Sequence, residues 1–146
     1  MTHDRAAEIL LIEDNPGDVE LIREALQAGR LMNRISVAPD GEQALAFLNR
    51  SLGFEHAPIP DLILLDLNLP KKNGFEVLKE VKDNPALKRI PVVILTSSQA
   101  ERDILKSYSL SANCFISKPV EVEEFLNMVR STGEFWLSIV KLPPAS

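Results

Sequence analysis

The chain has 146 residues, 45% hydrophobic and 25% charged, the balance of one ordinary globular domain. A net charge of −5, with acids and bases interspersed, argues against nucleic acid as the main partner, which needs a basic surface. No apolar run approaches the roughly 20 residues of a membrane-spanning helix, and a single cysteine excludes an internal disulfide framework or a thiolate-rich metal site. The opening Met1-Thr2-His3-Asp4-Arg5 lacks the apolar core of a secretion signal. The expected location is the cytoplasm, away from membrane and nucleic acid.

Short apolar runs alternate with segments of helical period. Ile9-Leu10-Leu11-Ile12 predicts a buried strand, followed by a helix from about Pro16 with Val19, Ile22 and Leu26 on one face. Ile35 to Ala38 predicts a more polar strand, suited to a sheet edge, and Pro39-Asp40-Gly41 after it reads as a turn. Ala44, Leu45 and Leu48 mark a second helix. Leu62-Ile63-Leu64-Leu65 predicts the central strand, with Phe75, Leu78 and Val81 as the next helical face. Val92-Val93-Ile94-Leu95 predicts a fourth strand, followed by Ile104, Leu105 and Tyr108 at helical spacing. Cys114-Phe115-Ile116 predicts a short fifth strand, and Val122, Phe125, Leu126 and Val129 a last helix.

Five such units predict an α/β fold with a parallel sheet covered on both faces. Right-handed crossovers favour the flavodoxin-like, doubly wound order 2-1-3-4-5. Residues 1–132 would form this domain. Residues 133–146 would be a short apolar C-terminal extension, with no separate output domain.

Ligands of such sheets bind beyond the carboxyl ends of the strands, near the point where strand order reverses. The residues at those ends are Glu13 and Asp14, then Asp66, Thr96 and Lys118. Neighbouring strands lie about 4.8 Å apart, so Asp66 would have Asp14 on one side and Thr96 on the other. Lys118, roughly 10 Å away, is long enough to reach the same pocket. Three clustered carboxylates repel one another, which a hard divalent cation such as Mg²⁺ would offset. Asp14 and Asp66 are the direct ligands expected, with Glu13 acting through water. A carboxylate can attack phosphorus to give an aspartyl phosphate, while Thr96 and Lys118 donate to the phosphoryl oxygens. Each residue alone has a plainer reading. An acidic pair after a strand often caps a helix, for which Asn15 and Asp18 are also available, and Asp66 could form a turn. The coincidence at the right strand ends carries the inference.

With these residues in place, the chain resembles the receiver domain of two-component response regulators, from about Glu8 to Arg130. The resemblance rests on LLIEDNPGD, PDLILLDLNLPKKNGFEVL, IPVVILTSS and CFISKP. It implies Asp66 as phosphoacceptor, with Asp14, Asp66 and the backbone carbonyl of Asn68 around Mg²⁺ and Glu13 assisting through water. It also implies Thr96 as the switch hydroxyl, Lys118 as a phosphoryl contact and a cis bond before Pro119. The phosphodonor of the family is a histidine kinase, and the same pocket assists loss of the phosphoryl group. The family couples phosphorylation to an aromatic residue at the position of Phe115, often tyrosine; phenylalanine lacks the hydroxyl. A stand-alone receiver would signal through contacts with a downstream protein.

Beyond that domain, Phe135, Trp136, Ile139 and Val140 lie at helical spacing before Pro143-Pro144. They would fold back on the domain or form an interface, where aromatic residues are enriched. The FWL…V.LP pattern and the IEDNPGD start resemble small single-domain regulators paired with bacterial phytochromes, which tend to form homodimers. Cys114 reads as structural, and His3 and His56 lack metal-ligand spacing. Lys71-Lys72, which follow Asp66, would flank the pocket or form a solvated pair, the plainer reading. Among rival readings, a haloacid-dehalogenase-like phosphohydrolase needs an acid two residues after its nucleophile, where this chain has Asn68. A nucleotide carrier needs a Gly-rich first loop, and the loop here is acidic. A phosphorylation-independent adaptor leaves the full site unexplained.

Overall fold

A computed structural model describes residues 6–28, 33–67, 69, 71, 73–96, 114–117 and 123. The elements run β1 (Ala7–Ile12), α1 (Pro16–Ala28), β2 (Asn33–Ala38), α2 (Gly41–Leu48), β3 (Leu62–Asp66), α3 (Gly74–Asp83), β4 (Val92–Thr96) and β5 (Cys114–Ser117). All strand pairs are parallel, in the order β2-β1-β3-β4-β5. The predicted fold class and strand order are thus observed. The expected fourth and fifth helices and the C-terminal extension lie outside the described residues.

Alternation along each strand divides the core in two, because successive side chains face opposite sides of a sheet. Leu10, Ile12, Ile63, Leu65, Val92 and Ile94 pack with Ala44, Leu45 and Leu48 of α2 and Val77, Leu78 and Val81 of α3. Ile9, Leu11, Leu62, Leu64, Val93 and Leu95 pack with Ile22, Ala25 and Leu26 of α1. Every residue of β3 is buried, whereas β2 is mostly half-exposed, as befits centre and edge.

Local polar contacts fix where each described helix starts. Asn15 caps α1, accepting from the Asp18 amide through Oδ1 at 3.0 Å. This assigns the cap to Asn15 and leaves Glu13 and Asp14 for another use. Asn73 and Glu76 form a reciprocal capping box at α3, at 3.0 and 3.2 Å. The segment Pro39-Asp40-Gly41 is more than a turn: Asp40 caps α2, accepting from the Gln43 amide at 2.7 Å. That bond is the main cause holding the buried Asp40 carboxyl below its ordinary value of 3.8, aided by the Gln43 side chain and Lys71 and opposed by desolvation.

A carboxyl whose pKa is depressed by folding stabilises the protein above its unfolded pKa and ceases to do so as pH falls through the folded value. Asp40→Ala is therefore expected to lower stability by about 1 kcal/mol at neutral pH. The difference from the native chain should shrink as pH drops below 3.8. Urea unfolding across the acid range checks this, and Asp40→Asn, still a cap, should retain most of the stability throughout.

Candidate functional site

The parallel register of the two central strands brings the acids together. Ile9 to Ile12 of β1 pair with Leu62 to Leu65 of β3, so Glu13 lies level with Asp66 one step on. Asp66 is the last residue of β3, still within the sheet, and its backbone pairs with Leu95 of β4. Glu13 follows β1 and donates its amide to the Ala38 carbonyl at 3.1 Å, which extends the β1–β2 ladder beyond Ile12. The Glu13 carboxylate accepts from the Asn15 amide at 3.2 Å.

One carboxylate oxygen each from Glu13, Asp14 and Asp66 lie within 4.8 Å of one another. Glu13 and Asp66 are each only 1% exposed, whereas Asp14 faces solvent. Two unit charges at that separation repel by about 3 kcal/mol at an effective dielectric of about 20. Buried carboxylates tolerate this only with compensation from hydrogen bonds or cations. Oxygen ligands of one Mg²⁺ lie about 3 Å apart when adjacent and about 4.2 Å apart when opposite, so these carboxylates can reach a single ion with some bound directly and another through water. An all-oxygen donor set with one solvent-facing member suits a hard cation that keeps some of its water.

Thr96 closes β4, one residue past the backbone partner of Asp66, and its register partner is Ser117 of β5. Phe115 occupies a β5 position opposite Ile94. Asn68, Lys118 and Pro119, and the apolar Phe135, Trp136, Ile139 and Val140, lie outside the described residues. The site is thus described for the acidic trio and for the backbone places of Thr96 and Phe115.

The structure gives three residues supporting roles that the sequence reading did not assign. Gly74, the first residue of α3, approaches the β3 end so closely that an added Cβ would sit 2.5 Å from Leu67 Cα and 2.7 Å from the Asp66 carbonyl oxygen. Its amide donates to the Leu67 carbonyl at 3.0 Å. Asp40, which follows β2, and Lys71, which follows β3, form an ion pair at 3.7 Å. Lys71 is therefore not simply solvated. The motif Asn73-Gly74-Phe75-Glu76 carried a legible capping signal, and Asp40-Gly41-Glu42-Gln43 a similar one. The Lys71 contact has no signal in the sequence.

Comparison with known proteins decides the family. Residues 9–130 match the model of the response regulator receiver domain. The chain belongs to this family. The receiver is 47% identical over 137 residues to the response regulator Rcp1 of Synechocystis sp. strain PCC 6803, covering 94% of this chain and 93% of that relative. It superposes on the crystal structure of the Mn²⁺-bound form of Rcp1 with a TM-score of 0.79 at 46% identity, over 94% of this chain and 99% of that one. Similar overlap is found with the phosphorylated cyanobacterial phytochrome response regulator RcpA: TM-score 0.81, 46% identity, 95% and 99% coverage. This receiver is accordingly a two-component signalling protein of α/β fold. Among its described residues, no helix is long and apolar enough to cross a membrane.

The close approach at Gly74 yields a prediction of definite sign. Alanine favours helices over glycine by up to about 1 kcal/mol, so propensity alone would stabilise Gly74→Ala. The clash with the backbone of Asp66 and Leu67 should prevail and lower stability by about 1–3 kcal/mol. Chemical denaturation decides between the two signs.

Proposed function

We propose that Asp66 accepts a phosphoryl group from a histidine kinase, with Mg²⁺ held by Asp14 and Asp66, the Asn68 carbonyl, and Glu13 through water. The observation that carries this reading is the convergence of Glu13, Asp14 and Asp66 within 4.8 Å at the ends of the two central strands. When bound, the cation offsets negative charge on the carboxylates and on the transferring group. Asp66 supplies the nucleophile: a carboxylate oxygen forms a bond to phosphorus as the phosphorus–nitrogen bond of the phosphohistidine breaks. The electron pair of that bond leaves with the imidazole. Asp66 is almost wholly buried at the strand end, which limits the directions from which a phosphoryl donor can approach.

Thr96 and Lys118 are the proposed donors to the phosphoryl oxygens. Phosphorylation adds about −1.5 to −2 charges and new acceptor oxygens. Thr96 then draws in the chain that follows β4, and Phe115 responds by repacking. The receiver thereby assists its own phosphorylation and its dephosphorylation, in which water attacks phosphorus, the bond from phosphorus to the Asp66 carboxylate oxygen breaks, and inorganic phosphate leaves the free carboxylate. The Lys118-Pro119 bond is proposed to be cis. Likeness to Rcp1 and RcpA supports a phytochrome-type kinase as donor and a cytoplasmic setting. Coverage of 93% of Rcp1 supports action as a single receiver, residues 1–132 with an apolar extension, whose output passes through contacts with another protein.

A second copy of this chain is proposed to cover Phe135, Trp136, Ile139 and Val140. Polar replacement of Phe135 and Trp136 should then lower the solution mass, and an unchanged mass at low concentration would remove the dimer. For the phosphoacceptor, intact-mass analysis after incubation with acetyl phosphate should show one added phosphoryl group, dependent on Mg²⁺. Asp66→Asn should show none. Equal labelling of the variant would refute the assignment.

A further inference from the structure

We propose that the groove between α2 and α3, bordered by Leu52, docks a basic segment of another protein that carries large apolar side chains. This gives a place to the protein contacts argued above, and it holds whether or not Asp66 is phosphorylated.

The backbone after α2 makes two tight turns in succession. The Arg50 amide donates to the Phe47 carbonyl at 3.2 Å and the Ser51 amide to the Ala46 carbonyl at 2.9 Å, closing the helix. Arg50 takes the left-handed place of this motif, at φ +53°, and its Nε donates to the Ala57 carbonyl at 2.8 Å. The Phe54 amide then donates to the Ser51 carbonyl at 3.0 Å, with φ +51° at Leu52 and +96° at Gly53 between them. Two positive φ angles in such a turn mark type I′, whose first central place favours asparagine, aspartate or glycine. Leucine is disfavoured there by its Cβ. Leu52 is also 86% exposed, so packing does not compensate. A bulky apolar residue held against its backbone preference and left in solvent points to use rather than to folding.

Leu52 borders a groove of about 410 Å³ together with Glu42, Leu45, Ala46 and Asn49 of α2 and Glu80 of α3. The α2 residues are spaced i, i+3, i+4 and i+7, so one stripe of the helix forms a wall. Leu45 and Ala46 are buried beneath it, whereas Glu42, Asn49 and Glu80 are exposed. The described lining thus joins apolar surface to two carboxylates, with no basic side chain among them. Charge complementarity selects a partner segment that sets lysine or arginine beside its apolar side chains. The net charge of −5 adds attraction at longer range. Symmetric pairing of two copies at this groove would instead oppose carboxylate to carboxylate.

The probe is a short fluorescein-labelled helical peptide with leucines three and four residues apart and lysines between. Titration of the unphosphorylated full chain into it is read by fluorescence anisotropy. The native chain should bind this peptide and should not bind a counterpart with glutamate in place of lysine. Leu52→Asn should bind about tenfold more weakly. Its urea midpoint should stay level or rise, since asparagine suits the turn. Glu42→Gln should weaken binding about two- to threefold and flatten its salt dependence.

No binding by the native chain, or equal binding by Leu52→Asn, would overturn the docking site, as would preference for the glutamate peptide. A lowered urea midpoint for Leu52→Asn would also overturn it, because Leu52 would then serve the fold. Self-association of the native chain that Leu52→Asn abolishes would make a second copy the occupant and rule out the foreign partner. None of these measurements involves phosphorylation, so their outcome is separate from that of the Asp66 assignment.

Discussion

The like-charge contact among Glu13, Asp14 and Asp66 is the constraint on which the rest of this structure turns. Two of these carboxylates are almost wholly buried, and one oxygen from each of the three falls within 4.8 Å of the others. Left to itself, such a cluster would drive its strand ends apart. The parallel pairing of β1 with β3 does not permit that, because Ile9 to Ile12 and Leu62 to Leu65 are locked in register with their side chains in both halves of the core. Hydrophobic burial thus holds an electrostatically unfavourable site in place, poised for a cation.

The surroundings of the trio are rigid for identifiable reasons. Asn15, Asp40 and Asn73 each cap the start of a helix, so three loops at the carboxyl edge of the sheet have fixed exits. Gly74 lets α3 begin in contact with the backbone of Asp66 and Leu67, closer than any side-chain-bearing residue could. The amide of Glu13 is bound to Ala38, which joins the first loop to the edge strand. The three acids at these strand ends are therefore prearranged.

Much of this was legible in the sequence because strong periodicity and strand-end chemistry agree. The apolar runs at 9–12, 62–65 and 92–95 are strands, and the order 2-1-3-4-5 follows from their polarity and the handedness of crossovers. The acidic trio follows from the same reading, since residues at the ends of adjacent parallel strands must meet. Strand edges shifted by a residue or two: Asp66 and Thr96 end their strands rather than follow them, and β1 and β2 each begin two residues early. What escaped was one local cap and one tertiary contact. Asp40 read as a turn because Pro-Asp-Gly is strong turn chemistry, yet its carboxylate caps α2. The Lys71 contact spans 31 positions of sequence and a strained backbone, neither of which any local pattern encodes.

The central claim, that the charge cluster exists to be neutralised by a divalent cation, is most directly tested by unfolding free energy as a function of Mg²⁺. A ligand that binds only the folded state raises stability logarithmically once its concentration exceeds the dissociation constant. The native chain should follow that curve. Asp66→Asn, with one charge removed from the trio, should gain clearly less from the same Mg²⁺ concentrations. Equal gains in the two proteins, or no gain in the native chain, would contradict the account.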